Sequence, residues 1–588
     1  MRIEAPAALD QSAARFGSDA VAQTLRALEV PYIALNPGAS YRGLHDSLVN
    51  YLGNERPQML LCLHEESAVA IAHGYAKATG KPLFVALHSN VGLMHATMAI
   101  FNAWCDRMPV IVLGATGPLD AVRRRPWIDW IHTARDQGAL VRDYVKWDDQ
   151  PASPGAAREA LLRAAWLAQT APCAPVYVNL DAHLQEAPLD APLPPIDVAR
   201  YRPDATPSPA ANALDAAARV LDGAMRPLIL AGRVSRDAQA WQARVALAEK
   251  LGARVLTDLK VGAAFPTDHP LHAAAPCVLT SGEMAHEIAQ SDVILSLDWV
   301  DLAGTLNVAF KGEARAKVIQ VSLDHTLHNG WSMDHQGLPP IDVMLAADPD
   351  AVTPLLLERV AAQARSTSPP VAPHEPYRLP GDDAKPDTEA LAHVLREVVG
   401  ARTVSFSHLP LSWNGASWPF RHPLDFLGSD GGGGIGAGPG IAVGAALALR
   451  GSDRLPIAVC GDGDYLMGVT ALWTATHYRI PLLLIVANNN SFYNDEVHQE
   501  RVARMRDRAV ENKWIGQRID DPAIDLARMA DAQGALGLGP ITRVGDLRDA
   551  FTRGIAAVDE GNVAVIDVRI QAGYTPAMSA SPTPGKTR

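Results

Sequence analysis

Pro456-Ile457-Ala458-Val459-Cys460 runs into Gly461-Asp462-Gly463-Asp464, and a second apolar run, Pro481 to Ala487, ends in Asn488-Asn489-Asn490-Ser491. Each run reads as a buried strand closed by turn-forming residues. The segment between them, Val469 to Tyr478, reads as a helix. The unit is therefore β-α-β, with both polar ends at the carboxyl edge of a parallel sheet, where α/β folds bind ligands. An Asp and an Asn at neighbouring strand ends offer hard oxygens to an octahedral Mg²⁺, which takes water and phosphate oxygens as its other ligands. A diphosphate is the expected ligand. Taken singly, Gly-Asp-Gly and Asn-Asn-Asn are ordinary turn compositions; their joint placement after two strands carries the chemistry.

Working outward, the 588 residues exceed one hydrophobic core and predict three units of ordinary domain size. Residues 31 to 180 alternate helical patterns with apolar runs at Tyr32 to Leu35, Met59 to Leu63, Leu83 to Leu87, Val110 to Leu113 and Val176 to Leu180. Such runs predict a parallel sheet covered on both faces. A proline-rich stretch, Pro188 to Pro207, reads as a linker. The same rhythm returns with strands at Pro227 to Ala231, Arg254 to Thr257, Val293 to Leu297 and Val318 to Val321, before a second linker, Ser366 to Pro386. The third block, from about Asp387, carries the two motifs. The fold expected is α/β, three doubly wound parallel-sheet domains at 1–187, 208–365 and 387–572, with a flexible tail at 573–588.

The net charge of -12 is spread without a basic block, so neither nucleic acid nor an anionic membrane is an expected partner. The N-terminus has no apolar signal core, and no apolar run approaches the roughly 18 residues needed to span a bilayer. A cytoplasmic enzyme is expected. Five cysteines, Cys62, Cys105, Cys173, Cys277 and Cys460, are scattered without a CxxC, which argues against a disulfide frame or a zinc site.

The GDG and NN pair, about two dozen residues apart, resembles the diphosphate motif of thiamine diphosphate (ThDP) enzymes, and the three blocks resemble the pyrimidine-binding, central and diphosphate-binding domains of their decarboxylase and acetohydroxyacid synthase group. The resemblance covers nearly the whole chain. It implies that Asp462 and Asn489 hold Mg²⁺ by their side chains and Ser491 by its carbonyl, with Gly461 and Gly463 beside the cofactor. It also asks for a glutamate after the second strand, and Leu63-His64-Glu65-Glu66 leading to Gly74-Tyr75-Ala76 supplies it as Glu65. In the family this carboxylate bonds the aminopyrimidine N1′, so that thiazolium C2 can lose its proton, a task for an acid of matched pKa. Acidic residues also suit the first turn of any helix, and that alternative fits Glu66 equally.

Gly431 to Gly440 satisfies GxGxxG, yet no acidic residue closes a second strand at the spacing a dinucleotide site needs. The resemblance instead makes Ile435 the prop that bends the cofactor and Gly433 the backbone acceptor for its amino group. A loop that merely lets a helix approach the sheet is the plainer reading. Leu87-His88-Ser89 resembles the Leu-His-Ser segment of benzoylformate decarboxylase, which implies a pocket role for His88, an imidazole that titrates near neutrality. Asn36-Pro37-Gly38-Ala39-Ser40 departs from that family: Ala39 stands where it has a substrate-binding serine, and Ser40 falls one residue late.

Two further segments are candidates for specificity. Arg123 to His132 joins cations, indoles and a histidine, suited to an anionic, partly apolar substrate or simply to a solvated turn before a helix. Phe492 to His498 follows the metal loop, and either closes over the site or forms a charged helix face.

The expected activity is ThDP- and Mg²⁺-dependent, non-oxidative decarboxylation of an aromatic or branched small-molecule 2-oxo acid, with carboligation on the side. Alternatives are an acetolactate (acetohydroxyacid) synthase-like carboligase, some of which carry FAD, and a non-catalytic ThDP-binding paralogue. No flavin fingerprint is found, Ala231-Gly232-Arg233 being too short. Because in the family the residue matching Glu65 reaches the cofactor of another subunit, a homodimer or homotetramer with interfacial sites is implied.

Overall fold

The computed structural model describes residues 4–7, 9, 13–202, 206–327, 337–362 and 377–573. The tail expected after Gly573 and most of the second linker lie outside these residues.

Three parallel sheets form. In the first, Tyr32–Leu35 (β1), Gln58–Leu61 (β2), Phe84–Ala86 (β3), Ile111–Thr116 (β4), Asp148–Asp149 (β5) and Val176–Asp181 (β6) lie in the order β2-β1-β3-β4-β6-β5. The second holds Pro227–Ala231 (β7), Arg254–Leu256 (β8), Val293–Leu297 (β9), Lys317–Val321 (β10) and Val343–Leu345 (β11), in the order β11-β10-β9-β7-β8. The third holds Val404–His408 (β12), Leu455–Gly461 (β13), Leu482–Asn488 (β14), Leu536–Ile541 (β15) and Val563–Arg569 (β16), in the order β12-β13-β14-β16-β15. Helices connect the strands, as right-handed parallel crossovers require. The strands read from apolar runs are all present, with ends within three residues. β5, a two-residue edge strand of Asp148-Asp149, carries no such run, and β11, a short edge strand Val343-Met344-Leu345, is an addition to the strands expected.

The helix expected at Val469 to Tyr478 is Ala471–His477, and a further helix, Asp462–Gly468, precedes it and starts on the motif itself. The break falls at Gly468-Val469-Thr470, a glycine and two β-branched residues that propagate a helix poorly.

The first and third sheets share one core, in which Val69, Ile71 and Ala72 pack with Ala442, Val443, Leu472 and Val486. Its axis is the crossing of two helices, Glu65–Thr79 and Gly438–Ala448. The second is buried almost all round, as an apolar helix must be. Gly74 permits the crossing, since a Cβ there would lie 2.0 Å from the Ile441 carbonyl oxygen. The central sheet has its own core around Leu247, Val255, Leu295 and Ile319. A buried ion pair ties it to the first unit: Asp324 takes Arg107 at 2.5 Å, and Arg233 of the central unit joins them at 3.1 Å. Burial would raise the Asp324 carboxyl, but Arg233 and Arg107 hold it well below the usual range. All five cysteines are free, and Cys62 and Cys460 are fully buried.

Candidate active site

Two polar clusters stand at sheet edges. The first lies where β13 and β14 end side by side, Gly461 opposite Ala487. Asp462, 4% exposed, accepts at Oδ1 from Gly463 N (2.9 Å) and at Oδ2 from Ser491 N (3.1 Å). Asn489 Oδ1 accepts from the same Ser491 N–H at 2.9 Å. The two side-chain oxygens thus converge on one point. Burial raises the Asp462 carboxyl, and the amides of Gly463, Ser491 and Asn490 oppose it. Beneath the loop, Ser491 Oγ donates to the buried Glu496 (2.6 Å), which also pairs with Arg518.

The glycine run closes on this cluster through Asp464, whose Oδ1 accepts from Gly436 N (2.6 Å) and Gly438 N (3.2 Å). Asp464 carried no assigned role; its presence directly after Gly-Asp-Gly was the only signal for one. Gly433, at φ 72°, has open space where a Cβ would point, and Ile435 stands 41% exposed beside it. In the Phe492 to His498 stretch, Phe492 packs on Gly463 and Glu496 supports Ser491, while Asp495 and His498 face outward.

The second cluster lies at the edge of the first sheet, where the chain reverses between β1 and β3, the switch point at which such sheets bind ligands. Glu65 opens the helix after β2 and is 7% exposed; its Oε2 meets His95 Nδ1 at 3.2 Å, and the His95 ring stacks on His64, centroids 5.3 Å apart. Glu66 turns toward Asp464 instead, and burial, then that carboxylate, raises it. The two glutamates, equal in sequence, thus point to different neighbours. After β3, His88 sits over Gly38, where a Cβ would come within 2.3 Å of its own Cβ. His88 Nδ1 is 2.9 Å from Ser40 Oγ, which also accepts from Ser89 N at 3.1 Å. Ser40, a residue late for the expected substrate role, holds a histidine.

The Arg123 to His132 cations are engaged within their own loop. Arg123 pairs with Asp120 (3.3 Å), Arg124 donates to the Pro118 and Leu119 carbonyls, and Arg125 pairs with Asp129 (2.8 Å), itself 2% exposed. Trp127 and Trp130 are 69% and 76% exposed, and His132 lies 4.7 Å from the His88 ring. His95 and the partnership of His132 were missed: no local pattern marks either. Among the described residues, no hydrogen bond or ion pair joins Glu65 or His88 to Asp462, Asn489 or Ser491.

Two domains whose sheet edges offer hard oxygens and a buried glutamate define an α/β enzyme of the cofactor-binding kind. Three family models match in order: thiamine pyrophosphate enzyme, N-terminal TPP binding domain, at residues 15–140; the central domain at 214–339; and the C-terminal TPP binding domain at 411–568. A protein of Pseudomonas aeruginosa named probable 2-ketoarginine decarboxylase is 27% identical over 463 residues, 77% of each chain. The benzoylformate decarboxylase of the same organism is 28% identical over 446 residues, 74% of this chain and 79% of that one. The crystal structure of benzoylformate decarboxylase from Polynucleobacter necessarius superposes with a TM-score of 0.80 at 23% identity, over 96% of this chain and all of the other. The chain belongs to the thiamine diphosphate-dependent enzymes of the benzoylformate decarboxylase and acetohydroxyacid synthase family. Within it, the chain is a ThDP-dependent 2-oxo acid decarboxylase or carboligase. Among the described residues no helix is long and apolar enough to cross a membrane.

Proposed function

We propose that the protein is a cytoplasmic, ThDP- and Mg²⁺-dependent decarboxylase of an aromatic or branched 2-oxo acid, with carboligation as a side reaction. The observation that carries the metal assignment is the meeting of Asp462 Oδ2 and Asn489 Oδ1 at the Ser491 N–H. A carboxylate, an amide oxygen and the nearby Ser491 carbonyl form a hard-oxygen set of the kind Mg²⁺ takes beside a diphosphate. Gly461 leaves room for phosphate oxygens, Gly463 stands beside them against Phe492, Gly433 offers its backbone, and Ile435 props the cofactor.

Bound ThDP would supply the electron sink that lets a 2-oxo acid lose CO₂. Glu65, buried yet hydrogen-bonded to His95, exchanges a proton with the pyrimidine N1′. His88, fixed by Ser40, faces substrate and moves a proton there. Because Glu65 and Asp462 form separate groups within one chain, the complete site takes two copies, and the assembly is a homodimer or homotetramer. The domain limits that fit are 1–187, 208–365 and 387–572.

The reading favours decarboxylation because His88 is a held, half-buried imidazole. A panel of 2-oxo acids assayed for CO₂ release, with product analysis, tests it. Aldehyde from an aromatic or branched acid is expected; acetolactate from pyruvate as the main product would establish the synthase alternative, and no turnover the non-catalytic one.

A further inference from the structure

One cluster at the edge of the first sheet has the makeup of a metal centre. His64 caps the helix Glu65–Thr79, Glu65 opens it, and His95 lies in the second turn of the helix Ser89–Cys105. One ligand atom from each of the three comes within 4.8 Å of the other two. Glu65 Oε2 stands 3.2 Å from His95 Nδ1, and among the described residues this imidazole is its one ion-pair partner; no lysine or arginine pairs with it. Glu65 is 7% exposed, while the His95 side chain is 55% exposed. The cluster is thus a buried carboxylate with an imidazole open to solvent beside it.

The donor set selects the ion. Two imidazoles and a carboxylate suit Zn²⁺, which keeps a fourth position for water, whereas Mg²⁺ takes all-oxygen surroundings such as those at Asp462 and Asn489. Two adjustments seat the ion. The rings of His64 and His95 stack with centroids 5.3 Å apart and planes within 6° of parallel, so one must turn before both lone pairs reach a single point. His95 is the one free to turn, being exposed and joined to its ring through a torsion with a broad well. His64 Nδ1 accepts the Glu66 N–H at 3.2 Å, and a neutral imidazole has one lone pair to give, so coordination replaces that cap bond.

We propose that His64, Glu65 and His95 form an inhibitory Zn²⁺ site, in which the ion takes the carboxylate that the aminopyrimidine of ThDP needs, so that Zn²⁺ and ThDP exclude each other. The exclusion rests on the reading of Glu65 given above; the metal site does not. Donor type keeps the two ions apart: Mg²⁺ serves the oxygen edge of the third sheet, and Zn²⁺ competes at the imidazole edge of the first.

The test titrates Zn²⁺ by calorimetry, in excess Mg²⁺, into the full-length protein freed of ThDP and into the holoenzyme. The ThDP-free protein should bind one Zn²⁺ per chain, and the holoenzyme should bind it more weakly. His64→Asn, which keeps a helix cap, and His95→Asn should each weaken Zn²⁺ binding by about 10²-fold or more, beyond the usual cost of losing an outer partner of a metal ligand. Co²⁺ in place of Zn²⁺ should give the visible absorption of a four- or five-coordinate ion, lost in either variant. At about ten times its own Kd, Zn²⁺ should weaken ThDP binding about tenfold in the wild type, by mass action, and not in His64→Asn. No Zn²⁺ binding by the wild type, or equal binding by both histidine variants, would overturn the site. Zn²⁺ binding that both variants abolish but that leaves ThDP affinity unmoved would overturn the inhibition, and with it the assignment of Glu65 to the pyrimidine, while the metal site stands. If the wild-type enzyme decarboxylates no 2-oxo acid, the decarboxylase reading fails by itself, and the calorimetry still decides the Zn²⁺ site.

Discussion

The edge of the third sheet and the edge of the first are built by opposite means. At Asp462 and Asn489 the side-chain oxygens are gathered by main-chain N–H groups of Gly463 and Ser491, so their places follow from the course of the backbone. At Glu65 and His88 the holding groups are themselves side chains: His95 meets Glu65, Ser40 meets His88, and His132 abuts it. A backbone cradle of hard oxygens suits a ligand that must stay put, a metal with its diphosphate. An edge of mutually held imidazoles and a carboxylate suits groups that change protonation in each turnover. On the proposed roles, one chain places a fixed anchor on one sheet and movable protons on another, and both edges rest on the shared core at the Gly74 crossing.

The contrast is broken first at the proton edge. Glu65→Gln should lower kcat by about 10² to 10⁴, the worth of a positioned acid-base group, while ThDP binds as before. Glu66→Gln, whose carboxyl turns toward Asp464, should stay near the wild-type rate; the reverse ranking would assign the pyrimidine to the wrong glutamate. At the anchor edge, Asp462→Ala should weaken ThDP binding in the presence of Mg²⁺ by about 10² or more, and EDTA should do the same to the wild type. Calorimetry showing unchanged affinity in either case would remove the metal from the site. Gly74→Ala strikes the support of both edges, because its Cβ would lie 2.0 Å from the Ile441 carbonyl oxygen. A cost of about 1–3 kcal/mol is expected, the usual penalty of overpacking, read as a lower melting temperature with ThDP binding and turnover impaired together.

The two edges also differ in how far the sequence discloses them. Strands made of unbroken apolar runs, such as β1 and β7, are legible because burial on both faces leaves no other composition. Two-residue β5 has only Asp148-Asp149, and its pairing is decided by β6 beside it. The proposed anchor is legible for the same reason that it is rigid: Asp462 and Asn489 follow their strands directly, so strand and turn locate them. The proton edge is legible only at Glu65 and His88, which also follow strands. Ser40 reaches His88 across 48 positions, and His95 reaches Glu65 from inside a helix, contacts that arise only when the sheet orders its strands. The Arg123 to Arg125 run, open in sequence between an anion site and a solvated turn, has its cations engaged by Asp120, Asp129 and the loop carbonyls.

The smallest expected effects separate the two modes most directly, because at each edge the hydroxyl of a buried serine, Ser491 or Ser40, bonds a neighbouring side chain. Ser491 contributes its N–H to Asp462 and Asn489, which any non-proline residue retains, while its hydroxyl donates to Glu496 below. Ser491→Ala should therefore leave ThDP and Mg²⁺ affinity within about threefold and cost about 1–2 kcal/mol of stability, the price of a lost hydrogen bond to a charged group that keeps Arg518 as a partner. Ser40 contributes its hydroxyl to His88 directly, and no main-chain atom replaces it. Ser40→Ala should slow turnover about tenfold, the equivalent of about 1.4 kcal/mol in one hydrogen bond to the working imidazole, with ThDP affinity intact. Denaturant melts and steady-state kinetics on the two variants give the answer together. Loss of cofactor affinity in Ser491→Ala would show that the anchor depends on that side chain after all, and a wild-type rate in Ser40→Ala would show that His88 needs no holder.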